Sequence, residues 1–238
     1  MLSILITNDD GIKSDGLLRL ARIARRFGEV WAVAPDGQRS AASHAISLHN
    51  TIDIYPYDFP AEGVHAFSCS GTPGDCVRTG CLSIMPHKPD IVISGINHGY
   101  NTASDIQYSG TCGAAFEGAF QEILSFAVSE QANDCHEVTE RFLPDILAEL
   151  MKKPLGYGQI YNLNFPGCPL NECRGVLYDR KVSHSMFYRD SYVVTEKLPR
   201  GGMRLMVSGL YGEDAEEGTD SRAVVDKYVS VGIARNIS

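Results

Sequence analysis

Residues 4–12 read ILITNDDGI, from Ile4 to Ile12. An apolar, largely β-branched run meets Asn8-Asp9-Asp10-Gly11 with no transition. Such a run without polar alternation fits a strand buried on both faces, as the strands of a parallel sheet are. Its end poses a question. Two adjacent carboxylates at the mouth of a buried strand repel each other, and one takes up a proton unless a cation lies between them. The plain alternative is an Asx-Gly turn leading into a helix cap, and a lone Asp-Asp-Gly favours that alternative.

Outward from this stretch, strand and helix patterns alternate. Residues 14–27 place Leu17, Leu20, Ala21 and Ala24 on one helical face, with Ser14 as N-cap and Gly28 as the stop. Residues 29–34, EVWAVA, predict a second strand, and residues 90–94, DIVIS, another. Residues 111–122 predict an Ala-rich helix and residues 123–129 a further strand. Residues 137–153 form an amphipathic helical pattern that Pro144 is expected to kink or restart. Gln159–Phe165 reads as a strand. The alternation implies right-handed βαβ units and an α/β fold, a Rossmann-like three-layer core on a mostly parallel sheet.

Beyond residue 166 the texture changes to Tyr, Val and Gly, with Pro199-Arg200-Gly201-Gly202 a strong turn. Long antiparallel hairpins are expected there: a lid, an oligomerisation arm or the end of the sheet, the arm being favoured because its apolar residues need a partner surface. The chain is thus read as one domain, 1–238, with an α/β core at 1–166 and an extended hairpin arm plus C-terminal segment at 167–238.

Composition narrows the function. The chain has 238 residues and a formal charge of −8. That field works against nonspecific binding to nucleic acid or to an anionic membrane. The seven cysteines form no Cys-x-x-Cys, so reduced thiols in a cytoplasmic protein are expected. No basic leader precedes the first acid, and no run approaches 18 apolar residues, so neither a signal peptide nor a membrane span is expected. No P-loop and no GxGxxG occur.

In an open α/β sheet, ligands bind beyond the carboxyl ends of the strands. Asn8-Asp9-Asp10-Gly11, the loop Pro35–Ser40 and Gly95–Asn101 all follow strands and all turn abruptly polar. Asp9, Asp10, Ser40 and Asn97 offer the oxygen donors that a hard divalent cation such as Mg²⁺ or Mn²⁺ takes. Tyr108–Gly118, YSGTCGAAFEG, adds a small-residue turn opening a helix. Ser109, Gly110 and Thr111 there form an ordinary N-cap and, equally, an anion site of hydroxyls and free N–H groups. A metal beside a phosphate cradle points to phosphoryl chemistry. Adjacent aspartates argue against an aspartyl-phosphate mechanism of the haloacid-dehalogenase kind, which spaces its pair by one residue. A nucleotide-binding regulatory module without turnover is the alternative from another class.

The segments NDDG, APDGQRSAAS, SGTPGDCV, PDIVISGINHGYN and YSGT-x-GAAFEG resemble, in order and spacing, the SurE (survival protein E) family of 5'/3'-nucleotidases. The likeness is dense over residues 2–130 and thins afterwards. The resemblance implies a divalent-metal-dependent phosphomonoesterase acting on nucleoside monophosphates, with a C-terminal hairpin that builds homodimers or homotetramers. By motif, Asp9, Asp10, Ser40 and Asn97 resemble the metal ligands, with Asp9 or Asp10 as general base and Asp9 favoured. Asn101, Ser109, Gly110 and Thr111 resemble phosphate contacts. Cys112 stands where the family has a small aliphatic residue, which raises the expectation of sensitivity to thiol reagents.

Overall fold

The computed structural model describes residues 1–184, 188–212 and 214–236. In chain order the elements are β1 (Leu2–Thr7), α1 (Asp15–Ala24), β2 (Gly28–Pro35), β3 (Ile54–Pro56), β4 (Val64–Cys69), α2 (Pro73–Thr79), β5 (Ile91–His98), α3 (Asp105–Tyr108) and α4 (Gly110–Phe120). Then follow β6 (Leu124–Glu130), α5 (Glu137–Leu150), β7 (Gln159–Phe165), β8 (Val176–Arg180), β9 (Tyr188–Lys197), β10 (Met203–Tyr211), α6 (Asp220–Val225) and β11 (Val229–Arg235).

The large sheet runs β3-β4-β2-β1-β5-β6-β7-β11-β8. Strands β4, β2, β1, β5, β6 and β7 are mutually parallel. Ile4 of β1 lies opposite Val30 on β2 and Ile91 on β5. From β1 the chain builds outward to β2 and β4 on one side, then crosses to β5, β6 and β7 on the other. The gap between the carboxyl ends of β1 and β5 is therefore the topological switch point, where open sheets bind ligands.

Both faces of β1 are covered, which explains its unbroken apolar run. Ile4 and Ile6 pack with Leu17 and Leu20 of α1 and Leu143 and Leu147 of α5. Leu5 points the other way, to Val33, Val77 of α2 and Ala114 of α4. Burying one such Leu or Ile stabilises by about 1.5–3 kcal/mol, so β1 is a rigid base for whatever its end carries.

Two helices differ from the sequence reading. Ser14 does cap α1, accepting from Leu17 N, but the helix ends at Ala24. Gly28 is not its stop; it opens β2, where a Cβ would meet Leu2 O at 2.1 Å. Pro144 does not restart α5, which runs through it as one helix from Glu137 to Leu150.

The stretch after residue 166 does two things. Strand β11 returns to pair antiparallel with β7, and β8 pairs parallel with β11, so both belong to the large sheet. Among the described residues, only β9 and β10 form a separate antiparallel hairpin, turning at Pro199–Gly201 with Arg200 and Gly201 in the left-handed region. Its Val193, Val194, Leu205, Met206 and Val207 are all exposed. Neighbours along a strand point to opposite faces, so the hairpin is apolar on both sides and covered on neither. Among the described residues, no helix is long and apolar enough to cross a membrane.

Candidate active site

The end of β1 is braced before it is charged. Asn8, fully buried, accepts from Gly11 N at 3.1 Å through Oδ1. Its Nδ2 donates to Gly11 O at 3.1 Å and to Ser14 Oγ at 2.6 Å. The turn and the α1 cap are thereby one unit. Arg39 N donates to Asp9 O at 2.7 Å, and Ile12 N to Pro35 O at 2.8 Å, which tie the end of β1 to the loop after β2.

Asp9 is only 4% exposed. Its Oδ1 accepts from Thr111 Oγ1 at 2.7 Å. Gly110 lies against it so closely that a Cβ there would stand 2.9 Å from Asp9 Cβ and 3.0 Å from Oδ2. Ser109 caps α4, accepting from Cys112 N at 3.0 Å. The predicted phosphate turn and the first aspartate thus meet at the start of α4. Burial pushes the Asp9 carboxyl up to about 6, against the Thr111 hydrogen bond that lowers it and with the Asp10 charge adding to the rise. Burial raises Asp10 too, partly offset by the His98 backbone N–H that donates to its Oδ2 at 3.2 Å.

Asn97 and His98 reach this place through a bulge. The β5–β6 register shifts between Ser94 and Asn97. Gly95, at φ +143°, sits where a Cβ would be 2.3 Å from Val128 O, so the backbone can be re-aimed there by glycine alone. Asn97 Nδ2 donates to Gly99 O at 2.8 Å, which leaves its carbonyl end as the donor a cation would use. Ser40 is exposed in the loop after β2 and accepts from Gln38 Nε2 at 2.9 Å; neither aspartate holds it. Asn101 is 5% exposed, with its side-chain amide spent on Ser129 Oγ at 2.8 Å. Its backbone is pinned by Asn162 and Asn164. The structure brings Asp9, Ser109, Gly110 and Thr111 together, sets Asp10 beside His98, and leaves Ser40 and Asn101 in networks of their own.

The donors expected from the sequence are two carboxylates with one amide and one hydroxyl oxygen, and burial leaves neither carboxylate comfortable as a bare anion. Among the described residues, no group of three or more His, Cys, Asp or Glu is arranged to hold a metal. All-oxygen donors of this kind suit a hard cation rather than zinc.

A polar cleft of about 320 Å³ opens beside Asp10 on the α1 side, lined also by Ser14, Gln38, His98 and His136. Its floor is an ion pair of buried Arg19 with Glu130, which Thr139 Oγ1 also reaches at 2.7 Å. A hollow of about 340 Å³ lies at the other end of the strands, by Leu124, Tyr157 and Gln159, away from the switch point. Sequence reading gave Asn8 no role of its own and passed over Arg19, Asn162 and Asn164. The last two had a signal, two asparagines spaced by two in an otherwise apolar strand.

Cys112 does not support the thiol expectation. It is fully buried, and burial pushes its thiol up to about 12, which leaves almost no thiolate to react.

Comparison with known proteins shows the family and the fold. The model of the family described as "Survival protein SurE" matches residues 4–187. A protein named 5'-nucleotidase SurE from Clostridium botulinum (strain Loch Maree / Type A3) is 38% identical over 234 residues, 97% of this chain and 91% of that protein. One of the same name from Thermosipho melanesiensis is 37% identical over 233 residues, 97% and 90% of the two chains. The crystal structure of the SurE protein from Aquifex aeolicus superposes with a TM-score of 0.81 at 31% identity, covering 98% of this chain and 93% of that one. With a family match across three quarters of its length and relatives aligned nearly end to end, this chain is a member of the SurE family.

Proposed function

We propose that the protein hydrolyses nucleoside 5'-monophosphates, and 3'-monophosphates as well, with one divalent ion, Mg²⁺ or Mn²⁺, as cofactor. The observation that carries this reading is the Asp9 carboxylate, buried against the start of α4 and raised as an acid beside Asp10. Relatives bearing the name 5'-nucleotidase support the substrate class. Asp9 and Asp10 hold the cation, with Asn97 Oδ1 and Ser40 Oγ completing the oxygen set.

Bound there, a divalent cation offsets phosphate charge and lowers the pKa of a coordinated water. The chain's own groups do the rest. The N–H groups of Gly110 and Thr111 at the start of α4, with Ser109 and the amide hydrogen that Asn101 does not give to Ser129, receive the phosphate oxygens. Thr111 fixes one oxygen of Asp9 by donating to it, so the other faces the reacting water. Asp9 takes a proton as water attacks phosphorus, the ester P–O bond breaks, and the leaving nucleoside oxygen takes up a proton from solvent to depart as an alcohol. The polar cleft beside Asp10, about 320 Å³, is the room available next to the aspartates for the nucleoside.

Phosphate release from a panel of 5'- and 3'-nucleoside monophosphates, with Mg²⁺, with Mn²⁺ and with EDTA, tests the reading. Release with metal and none with EDTA is expected. Nucleotide binding without release under any metal would favour a regulatory module instead.

The apolar hairpin supports a homodimer or homotetramer. Val194 and Leu205 are cross-strand partners. Val194→Lys with Leu205→Glu removes apolar surface while keeping an attractive pair across the hairpin. The double variant is expected to sediment at a lower mass than the wild type; a wild type that sediments as a monomer would end the proposal. All seven cysteines are free thiols, which supports a reducing, cytoplasmic setting.

A further inference from the structure

Between β2 and β3, residues 36–53 contain no helix or strand, yet they carry Ser40. A loop that long in a compact domain is functional or held by side chains. On one side of Ser40 the hold is Arg39 N on Asp9 O, at 2.7 Å. On the other, Ser43 N donates to Tyr108 O at 2.9 Å and Ser43 Oγ to Gln107 O at 2.6 Å. Ala41 and Ser43 lie in the left-handed region, so the chain turns tightly within the span.

His44 follows and grips α4, while Ala45 O accepts from Thr72 Oγ1 at 2.6 Å and Ser47 N and Oγ donate to Asp75 at 2.8 Å, which holds the next part of the loop on the start of α2. His44 Nε2 is 2.9 Å from Glu117 Oε2, and its ring stacks on Phe120 at 5.3 Å between centroids. Its Nδ1 is 3.3 Å from Asn236 Nδ2. Glu117 is 4% exposed on α4. It also takes Arg78 Nη1 and Gln121 Nε2, each at 3.0 Å. Gly113 of the same helix makes room: a Cβ there would stand 2.2 Å from Ser43 O and 2.9 Å from His44 Cα. The loop therefore lies directly on the backbone of the helix whose first turn holds Asp9. Arg78 and Gln121 already satisfy one oxygen of Glu117. The other oxygen serves His44, and through it the loop.

We infer that His44 and Glu117 are positioning residues: they clamp onto α4 the loop whose Arg39 N is tied to Asp9 O, and so keep Ser40, the next residue, in reach of the divalent cation. This rests on the metal reading above. Residues that orient ligands from behind change metal affinity by about 10–100-fold when removed.

The test is direct Mn²⁺ binding by titration calorimetry on the full chain, with turnover read alongside. His44→Phe keeps a ring on Phe120 and loses the donor to Glu117. It is expected to weaken Mn²⁺ binding about tenfold, with kcat at saturating Mn²⁺ falling less than the affinity does. His44→Gln, which restores an amide donor, is expected to recover most of the affinity. Glu117→Gln is the second variant and is expected to shift affinity the same way. His44→Phe and Glu117→Gln binding Mn²⁺ as the wild type does would overturn the clamp, as would a fall in kcat with unchanged affinity. A wild type that binds no Mn²⁺ would instead bring down the metal reading itself, so the two failures are told apart.

Discussion

Replacing Asp9 by Asn is expected to lower phosphate release by about a thousandfold or more while making the metal-free protein more stable at pH 8. The two effects share one cause. Asp9 is buried, and its carboxyl is raised from 3.8 to about 6 in the folded chain. The folded state thus prefers the protonated form. The stability this confers is complete below about pH 4 and is lost as the pH rises through about 6. Above that, in EDTA, the ionised carboxylate costs about 3 kcal/mol, since each tenfold change in proton affinity is worth roughly 1.4 kcal/mol. Asn keeps the acceptor for Thr111 and does not titrate. In EDTA the variant should therefore melt several degrees above the wild type at pH 8, with the gap closing at pH 4. Added Mn²⁺ should raise the wild type and leave the variant where it was. A variant that melts below the wild type at pH 8 in EDTA would mean that Asp9 serves packing rather than a cation.

Gly110→Ala is the second large effect. On helix propensity alone, Ala in place of Gly favours the first turn of α4. Here the new methyl would meet Asp9 Cβ at 2.9 Å, Asp9 Oδ2 at 3.0 Å and Pro73 Cγ at 3.2 Å. Asp9 is buried and held by Thr111, and Pro73 is a ring, so either the aspartate or the start of α4 must move. A shift of even a fraction of an ångström between a catalytic carboxylate and a phosphate cradle is costly, and a loss of about a hundredfold in kcat/KM is expected. The melting temperature should change far less. Steady-state kinetics with a nucleoside monophosphate reads it, and kcat/KM within threefold of the wild type would contradict the packing described.

The parallel core was legible because buried strands announce themselves. The run Ile4–Thr7 has no alternation, and its side chains are in fact covered on both faces. The aspartates were legible too, as charge placed where only apolar residues belong. What escaped was held by long-range contact. Nothing near Gly28 says that Leu2 O will crowd it, so a helix stop and a strand start look alike. Pro144 sits inside α5 because tertiary packing of Leu143 and Leu147 outweighs one lost backbone bond. The return of β11 to β7 depends on pairing across the sheet, which no local pattern encodes. In the site, Ser109, Gly110 and Thr111 were readable as a turn before a helix. That Thr111 would donate to Asp9, a hundred residues away in the chain, was not.

The proposed chemistry turns on Asp9 and Asp10 holding a divalent cation at the switch point between β1 and β5. Anomalous scattering from a crystal grown with Mn²⁺ would locate that ion outright. One strong peak is expected within about 2.5 Å of carboxylate oxygens of both Asp9 and Asp10, absent in the Asp9→Asn variant. No peak there, or a peak elsewhere with phosphate release intact, would contradict it.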